Sequence, residues 1–270
     1  MHTSDPTFQV GRDVSAWPSL KVTHAYGHAL TLRSRVDLWA ASHPMDIVAR
    51  INDDRCGATW RLRVTSSAPA HEWSLLIGDC VHQLRSALDS CIWDFATRSG
   101  QVPNKPERIQ FPIVRSKPEG WDAVANDRLA GVDPAVVDRV RITQPFNRPD
   151  GERERDGLVL LQELSNLDKH RMNVQTFAAM HESSHQFSVQ FADDDASARN
   201  VPPDMTLHES PIEDGALLGE LRTVDPIVSL QGSWSISLRP VITSPNGDQP
   251  MVETLEGLVA YVRQILAVLY

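Results

Sequence analysis

The sequence predicts an α+β protein: a four-helix bundle carrying an inserted β-hairpin and a small antiparallel sheet before its last helix. Three observations lead there. Apolar residues recur at three-and-four spacing over four long stretches, at about 20–42, 68–99, 152–169 and 251–269. A period-two hairpin pattern follows the first stretch, and further period-two segments fill about 172–242. Neither an internal repeat nor a low-complexity tract divides the 270 residues, so one domain, 1–270, with a β appendage is expected.

In the first helix, Val22, Ala25, Ala29, Leu32, Val36 and Trp39 share a face, and Pro44 follows its end. Ile47, Ala49 and Ile51, then Trp60, Leu62 and Val64, alternate on either side of Asp53-Asp54-Arg55-Cys56-Gly57, a turn composition. Arg61 and Arg63 would face away from Trp60. The second helix begins near Ser67 or Pro69 and stops at Gly100. Short helices are expected at about 118–129 and 134–141, the latter opened by Asp133-Pro134. The helix at about 152–169 directs Leu160, Leu161, Leu164 and Leu167 inward. Strands follow at 172–180 and 186–191, then an irregular acidic loop at 193–214, strands at about 216–223 and 227–242, and an Asn246-Gly247 turn. The last helix aligns Val252, Leu255, Val259, Val262, Leu266 and Leu269.

Composition narrows function. A net charge of −9 and a pI near 5.5 argue against a surface built to neutralise phosphates, so nucleic acid is not an expected partner. No apolar run reaches membrane-span length, and the polar start MHTSDPTFQVGRD lacks the regions of a signal peptide. A cytoplasmic protein is expected. Cys80 and Cys91 fall roughly 16 Å apart along one helix, too far to bridge, and with Cys56 read as reduced thiols.

The second helix carries the chemistry. At about 100° per residue, Cys80, Val81, Leu84, Ala87, Leu88, Cys91, Ile92 and Phe95 form an apolar arc. Asp79, His82, Arg85, Ser86 and Asp89 form a polar stripe beside it, and Trp93 falls in that stripe, which suggests that part of it is covered. Glu163, Asn166 and His170 share a neighbouring arc on the helix that ends Asn166-Leu167-Asp168-Lys169-His170-Arg171. Two helices with polar arcs beside apolar faces can meet. His82, Asp89 and His170 then become candidate acid–base groups, and Arg85, Asn166, Asp168, Lys169 and Arg171 candidate binders of a small anionic ligand. The alternative is structural: Arg85–Asp89 and Asp79–His82 as pairs on one helix face, or the whole set as a buried network tying helices together. An interaction protein would show that filled network together with an exposed apolar surface elsewhere.

Metal and cofactor are not expected. The Glu-x-x-His pairing of di-iron bundles is absent, and Arg85 and Lys169 would oppose a cation. His181-Glu182-Ser183-Ser184-His185 matches the HExxH string of zinc hydrolases, which requires a helix. Between two period-two segments it is expected to be a turn, leaving zinc hydrolysis a minor alternative. His24 and His28 read as surface histidines. No GxSxG, Walker or Rossmann pattern occurs.

Taken together, GDCVHQLRSALD, QFPI, ITQPFN and NLDKHR resemble a group of uncharacterised bacterial proteins sharing GDxxHxLRSALD, FPI, QP and NxDKHR in that order. The resemblance covers about 20–175 and implies no established activity. The expected architecture is also similar to HEPN-type helical bundles of bacterial defence systems. The Arg–His spacing of their ribonuclease members is absent, so the resemblance implies a non-catalytic relative. A homodimer stays open.

Overall fold

The structure is a computed structural model that describes residues 16–42, 45–115, 120–170, 176–202, 204–208, 212–244 and 247–270. The side chains of 169, 170 and 179–181 are not among those described. The chain is mixed α+β, with antiparallel strand pairing in every register given below. Its described residues divide into two compact units: one comprises 16–33, 71–170 and 242–270, the other 34–70 and 176–241.

The helical unit contains most of α1 (Ala16–Ala41), α2 (Ala70–Thr97) from its second residue on, α3 (Trp121–Arg128), α4 (Pro134–Ile142), α5 (Gly157–His170) and α7 (Met251–Leu269). The expected apolar stripes are the core. Val22, Ala25, Ala29 and Leu32 of α1 are buried, as are all eight residues of the α2 arc and Leu255, Val259, Val262, Leu266 and Leu269 of α7. Two contacts fix α1 and α7 antiparallel. Arg33 Nε donates to Glu256 Oε1 at 2.9 Å, and the Arg263 guanidinium lies 4.9 Å from the centre of the Tyr26 ring. α7 also packs on α4 and α5. Asp133 caps α4, its carboxylate accepting from Ala135 N at 2.8 Å with Pro134 in the first turn.

The first turn of α5 departs from expectation. The helix starts at Gly157 rather than 152, and 153–155 form a separate 3-10 turn. Asp156 ends that turn and caps the helix, accepting from Leu158 N at 2.8 Å. Its carboxylate is 1% exposed and is also bonded by Arg148 Nε at 2.8 Å and the Tyr261 hydroxyl at 3.0 Å. Gly157 has no side chain because the Tyr261 ring fills that space, 2.5 Å from where a Cβ would lie.

In the sheet unit the hairpin β1 (Met45–Ile51) and β2 (Gly57–Val64) is not a separate insertion. It continues through β5 (Leu217–Arg222) to β4 (Asp204–Leu207), in the order β1-β2-β5-β4. A second sheet has the order β3-β6-β7, from β3 (Thr176–Gln190), β6 (Ser229–Ser244) and β7 (Gly247–Pro250), of which β7 and the last three residues of β6 are counted with the helical unit. Ala58, Trp60, Leu221 and Ile227 form the unit's core, and Phe187, Val189, Phe191, Leu230 and Trp234 of or near the second sheet pack on it. Gly219 leaves room for the Trp234 ring, 2.8 Å from its would-be Cβ. The turn residue Arg55 sits at φ 61°, and its guanidinium donates to the carbonyls of Ile227 and Val228, tying the turn to the chain before β6.

Two local expectations are overturned. His181–His185 is not a turn: the backbone is continuous strand across it, one β3 rather than two strands. The alternation of Phe187, Val189 and Phe191 extends backward through the serines, and a longer pairing with β6 outweighs their turn preference. The acidic segment 193–214 is not wholly irregular. Asp193 caps a short helix, α6 (Asp194–Arg199), and β4 lies within the same segment. The expected strand residues 172–175 and Asn246 lie outside the described residues.

Candidate functional site

The polar stripe of α2 divides into a buried and an exposed part. Arg85 is 7% exposed, which costs free energy unless the charge is paired. It is paired twice: Nη2 lies 3.0 Å from Asp89 Oδ1 and donates to the Phe111 carbonyl at 2.6 Å. Asp89 Oδ1 in turn accepts from Phe111 N at 2.9 Å. One arginine and one carboxylate a helical turn apart thus hold both backbone groups of a single residue. Burial pushes the Arg85 guanidinium below its ordinary range, with Asp89 opposing that shift. Arg85 Nη1 is enclosed with no hydrogen-bond partner.

Phe111 belongs to an extended segment held at further points. Gln110 N donates to Arg128 O at 3.3 Å, and Val114 N donates to Gln144 Oε1 at 3.0 Å. Gln144 is fully buried and donates through Nε2 to Val140 O at 3.1 Å, at the end of α4. Arg115 lies 2.9 Å from Glu163 Oε1 on α5 and 3.6 Å from Glu154. The LRSALD, FPI and QP pieces of the sequence pattern therefore converge. Arg85 and Asp89, Phe111, and Gln144 together anchor one non-helical segment among α2, α4 and α5.

The remaining pieces, GD and NxD, meet two turns before Arg85 on α2. Gly78 is buried, and the Asp168 carboxylate of α5 lies 2.5 Å from where its Cβ would be. A side chain on residue 78 would displace that carboxylate. His82 is one turn beyond Gly78 on the same face, and helical side chains lean toward the N-terminus, here toward Asp168. Asp79, His82, Asn166 and Asp168 are exposed. Asn166 Oδ1 accepts from Gln162 Nε2 at 2.7 Å. The His170 and Lys169 side chains and all of Arg171 lie outside the described residues, so a meeting of His82 with His170 is not among the observations. Ser86 faces α1, where Lys21 Nζ donates to Ser86 Oγ at 2.7 Å and Ser90 Oγ at 2.6 Å. Trp93 is 37% exposed: the cover over the stripe is the Phe111 segment, not the indole. A hollow of about 400 Å³ lies at the far end of α2, beside Ser99, Pro103, Asn126 and Gly131.

The thiols behave as their arc implied. Burial pushes both Cys80 and Cys91 up to about 12, so neither is a nucleophile near neutral pH. Among the described residues no group of three or more His, Cys, Asp or Glu side chains is placed to hold a metal ion. In β3, positions four apart such as 181 and 185 are separated by about 13 Å of backbone, twice the span they would have on a helix. His185 instead stacks on Phe187, with ring centres 5.5 Å apart, and faces Trp234 at 5.2 Å. No helix among the described residues is long and apolar enough to cross a membrane.

Sequence reasoning assigned no role to Gln144, Arg148, Asp156 or Tyr261. Asp156 was legible as an Asp before the apolar run LVLLQEL, a helix-cap signal. Gln144, Arg148 and Tyr261 have no local signal, because Val114, which donates to Gln144, and the Asp156 and Tyr261 that meet Arg148 lie at other places in the chain.

No family model, curated protein or solved structure matches the chain.

Proposed function

We propose that this chain is a non-catalytic interaction protein, with the α2 polar stripe acting as its internal scaffold. One observation carries the reading: the buried Arg85 fork and the half-buried Asp89 carboxylate are both engaged with the Phe111 backbone. A ligand-binding arginine would need its fork directed into an open cavity. The bacterial, cytoplasmic and HEPN-like setting suggested by the sequence pattern belongs to this proposal.

A second reading is favoured by the approach of Asp168 to Gly78. It places a carboxylate one helical turn from an exposed imidazole, and Lys169 and Arg171 follow in sequence, so a small anionic ligand could be bound there. Calorimetric titration and thermal shift with phosphate and citrate separate the two readings. The interaction reading expects no saturable heat and an unchanged melting temperature. Saturable binding that is lost in His82→Ala and Lys169→Ala, both with wild-type melting temperatures, overturns it in favour of the second.

A further inference from the structure

A groove of about 450 Å³ runs along the sheet unit, walled by the last turn of α1 (Trp39, Ala40), the start of β1 (Met45–Ile47) and Trp234–Leu238 of β6. Its floor is a period-two row. Trp234 packs on the cluster around Trp60, whereas Ile236 and Leu238 carry the row onward, half-buried, with Ser235 and Ser237 exposed between them. Above that row, β1 ends its sheet. Met45, Ile47 and Ile51 of β1 are only half-buried, although Ala58, Trp60 and Leu62 on the paired strand are buried. Among the described residues no strand lies outside β1 to cover this side. A strand added next to β1, about 4.8 Å further out, would cover Ile236 and Leu238.

Edges left open by natural proteins are normally blunted by Pro, Lys, bulges or inward charges. β1, MDIVARI, pairs with β2 in unbroken register from Met45 to Ile51 and carries none of the first three. Its charges, Asp46 and Arg50, share the alternating face opposite to Ile47 and Ile51. Among the described residues Asp46 is the one charged residue lining the groove; it is exposed, and its Oδ1 accepts from Ile47 N at 2.8 Å, a bond that an added strand exchanges for its own.

Building on the interaction reading, we propose that this groove binds an extended peptide of a partner protein as an added β-strand. The peptide has apolar residues at alternate positions, directed at Ile236 and Leu238, and a basic residue opposite Asp46. Backbone hydrogen bonds to the β1 edge supply affinity, and the alternate pockets with Asp46 supply selectivity.

The test uses the full chain and three fluorescein-labelled peptides read by polarisation. They are KVTITVTK, its charge-reversed form EVTITVTE, and KVTPTVTK, which lacks one backbone donor and resists a central strand position. The expected result is saturable binding of the first peptide and at least about tenfold weaker binding of the other two, a loss of about 1.4 kcal/mol. Asp46→Lys is expected to reverse the preference between the first two, and Leu238→Glu to abolish binding of both. Asp46 is exposed, so its variant stays informative if Leu238→Glu fails to fold. The proposal is overturned by equal binding of all three peptides, by none at millimolar concentration, or by an unchanged charge preference in Asp46→Lys. A concentration-dependent dimer in sedimentation that Leu238→Glu dissociates also overturns it and assigns the groove to a second copy. Failure here removes this surface alone, because the interaction reading is tested separately by the phosphate and citrate titration.

Discussion

Arg85 donates to the carbonyl of Phe111 at 2.6 Å from a side chain that is almost fully buried. An arginine so placed is held where removing its partner is costly, since breaking a buried pair typically costs about 3–5 kcal/mol. The polar stripe of α2 therefore belongs to the folding energetics of the helical unit.

Two turns before Arg85 on α2, Gly78 allows the Asp168 carboxylate to rest against the helix. A Cβ at 78 meets the far end of an exposed side chain, so Gly78→Ala turns that carboxylate aside and is expected to gain less than the roughly 1 kcal/mol that the same change brings in an unobstructed helix. With Asp168→Ala in place, Gly78→Ala should show the full gain. Urea denaturation of the two single variants and the double measures this. Strict additivity would mean that the two residues do not meet.

Asp156 combines a helix cap with two side-chain bonds in a position that water does not reach. Asp156→Ala is expected to cost about 3 kcal/mol: about 1 for the cap, and the rest for leaving Arg148 and Tyr261 without their acceptor. Tyr261→Phe should cost about 1 kcal/mol. Chemical denaturation of the two variants gives both values.

Cys80 and Cys91 are held up at about 12, against 9.0 for a free thiol. A thiol that keeps its proton longer when folded stabilises the fold fully below the unfolded value. Stability is then lost as pH rises from about 9 toward 12. The slope is about 1.4 kcal/mol per pH unit for each thiol within that window. Burial raises Tyr261 and Tyr270 as well and adds to the same alkaline loss above 10. Thermal melts from pH 8 to 11 should show the decline, and a Cys80→Ala, Cys91→Ala variant a shallower one. Below pH 9 an aromatic disulfide reagent should modify Cys56, the half-exposed thiol, before the other two.

The helical stripes were legible because a 3.6-residue period needs only local sequence. The residues the spacing marked in α1 and on the α2 arc are all buried, but in α7 Val252 is only half-buried, and the spacing left out Trp73 and Ile77 of α2 and Leu258 and Ile265 of α7. Turn chemistry was less secure. Ser183 and Ser184 favour a turn in isolation, yet Ser184 Oγ lies 2.8 Å from Ser235 Oγ and Ser183 Oγ accepts from Trp234 Nε1 at 2.8 Å, side-chain bonds that the continuous strand makes. Sheet order was not legible: β2 pairs with β5, some 160 residues away, and no periodicity encodes a partner at that distance. In the stripe, the sequence showed that Arg85 and Asp89 share a face but not that Phe111 would lie between them and solvent. That assignment required the path of the segment 109–115, which forms no regular element beyond Arg108.

The most direct test of the scaffold reading is a double-mutant cycle on Arg85 and Asp89. Arg85→Met, Asp89→Asn and the double variant would be compared by urea denaturation and by hydrogen exchange at the Phe111 amide. The account predicts that each single change costs about 2–4 kcal/mol, that the double costs markedly less than their sum, and that Phe111 exchanges faster in Asp89→Asn. Near-wild-type stability in all three variants, with an already fast Phe111 amide, would contradict it.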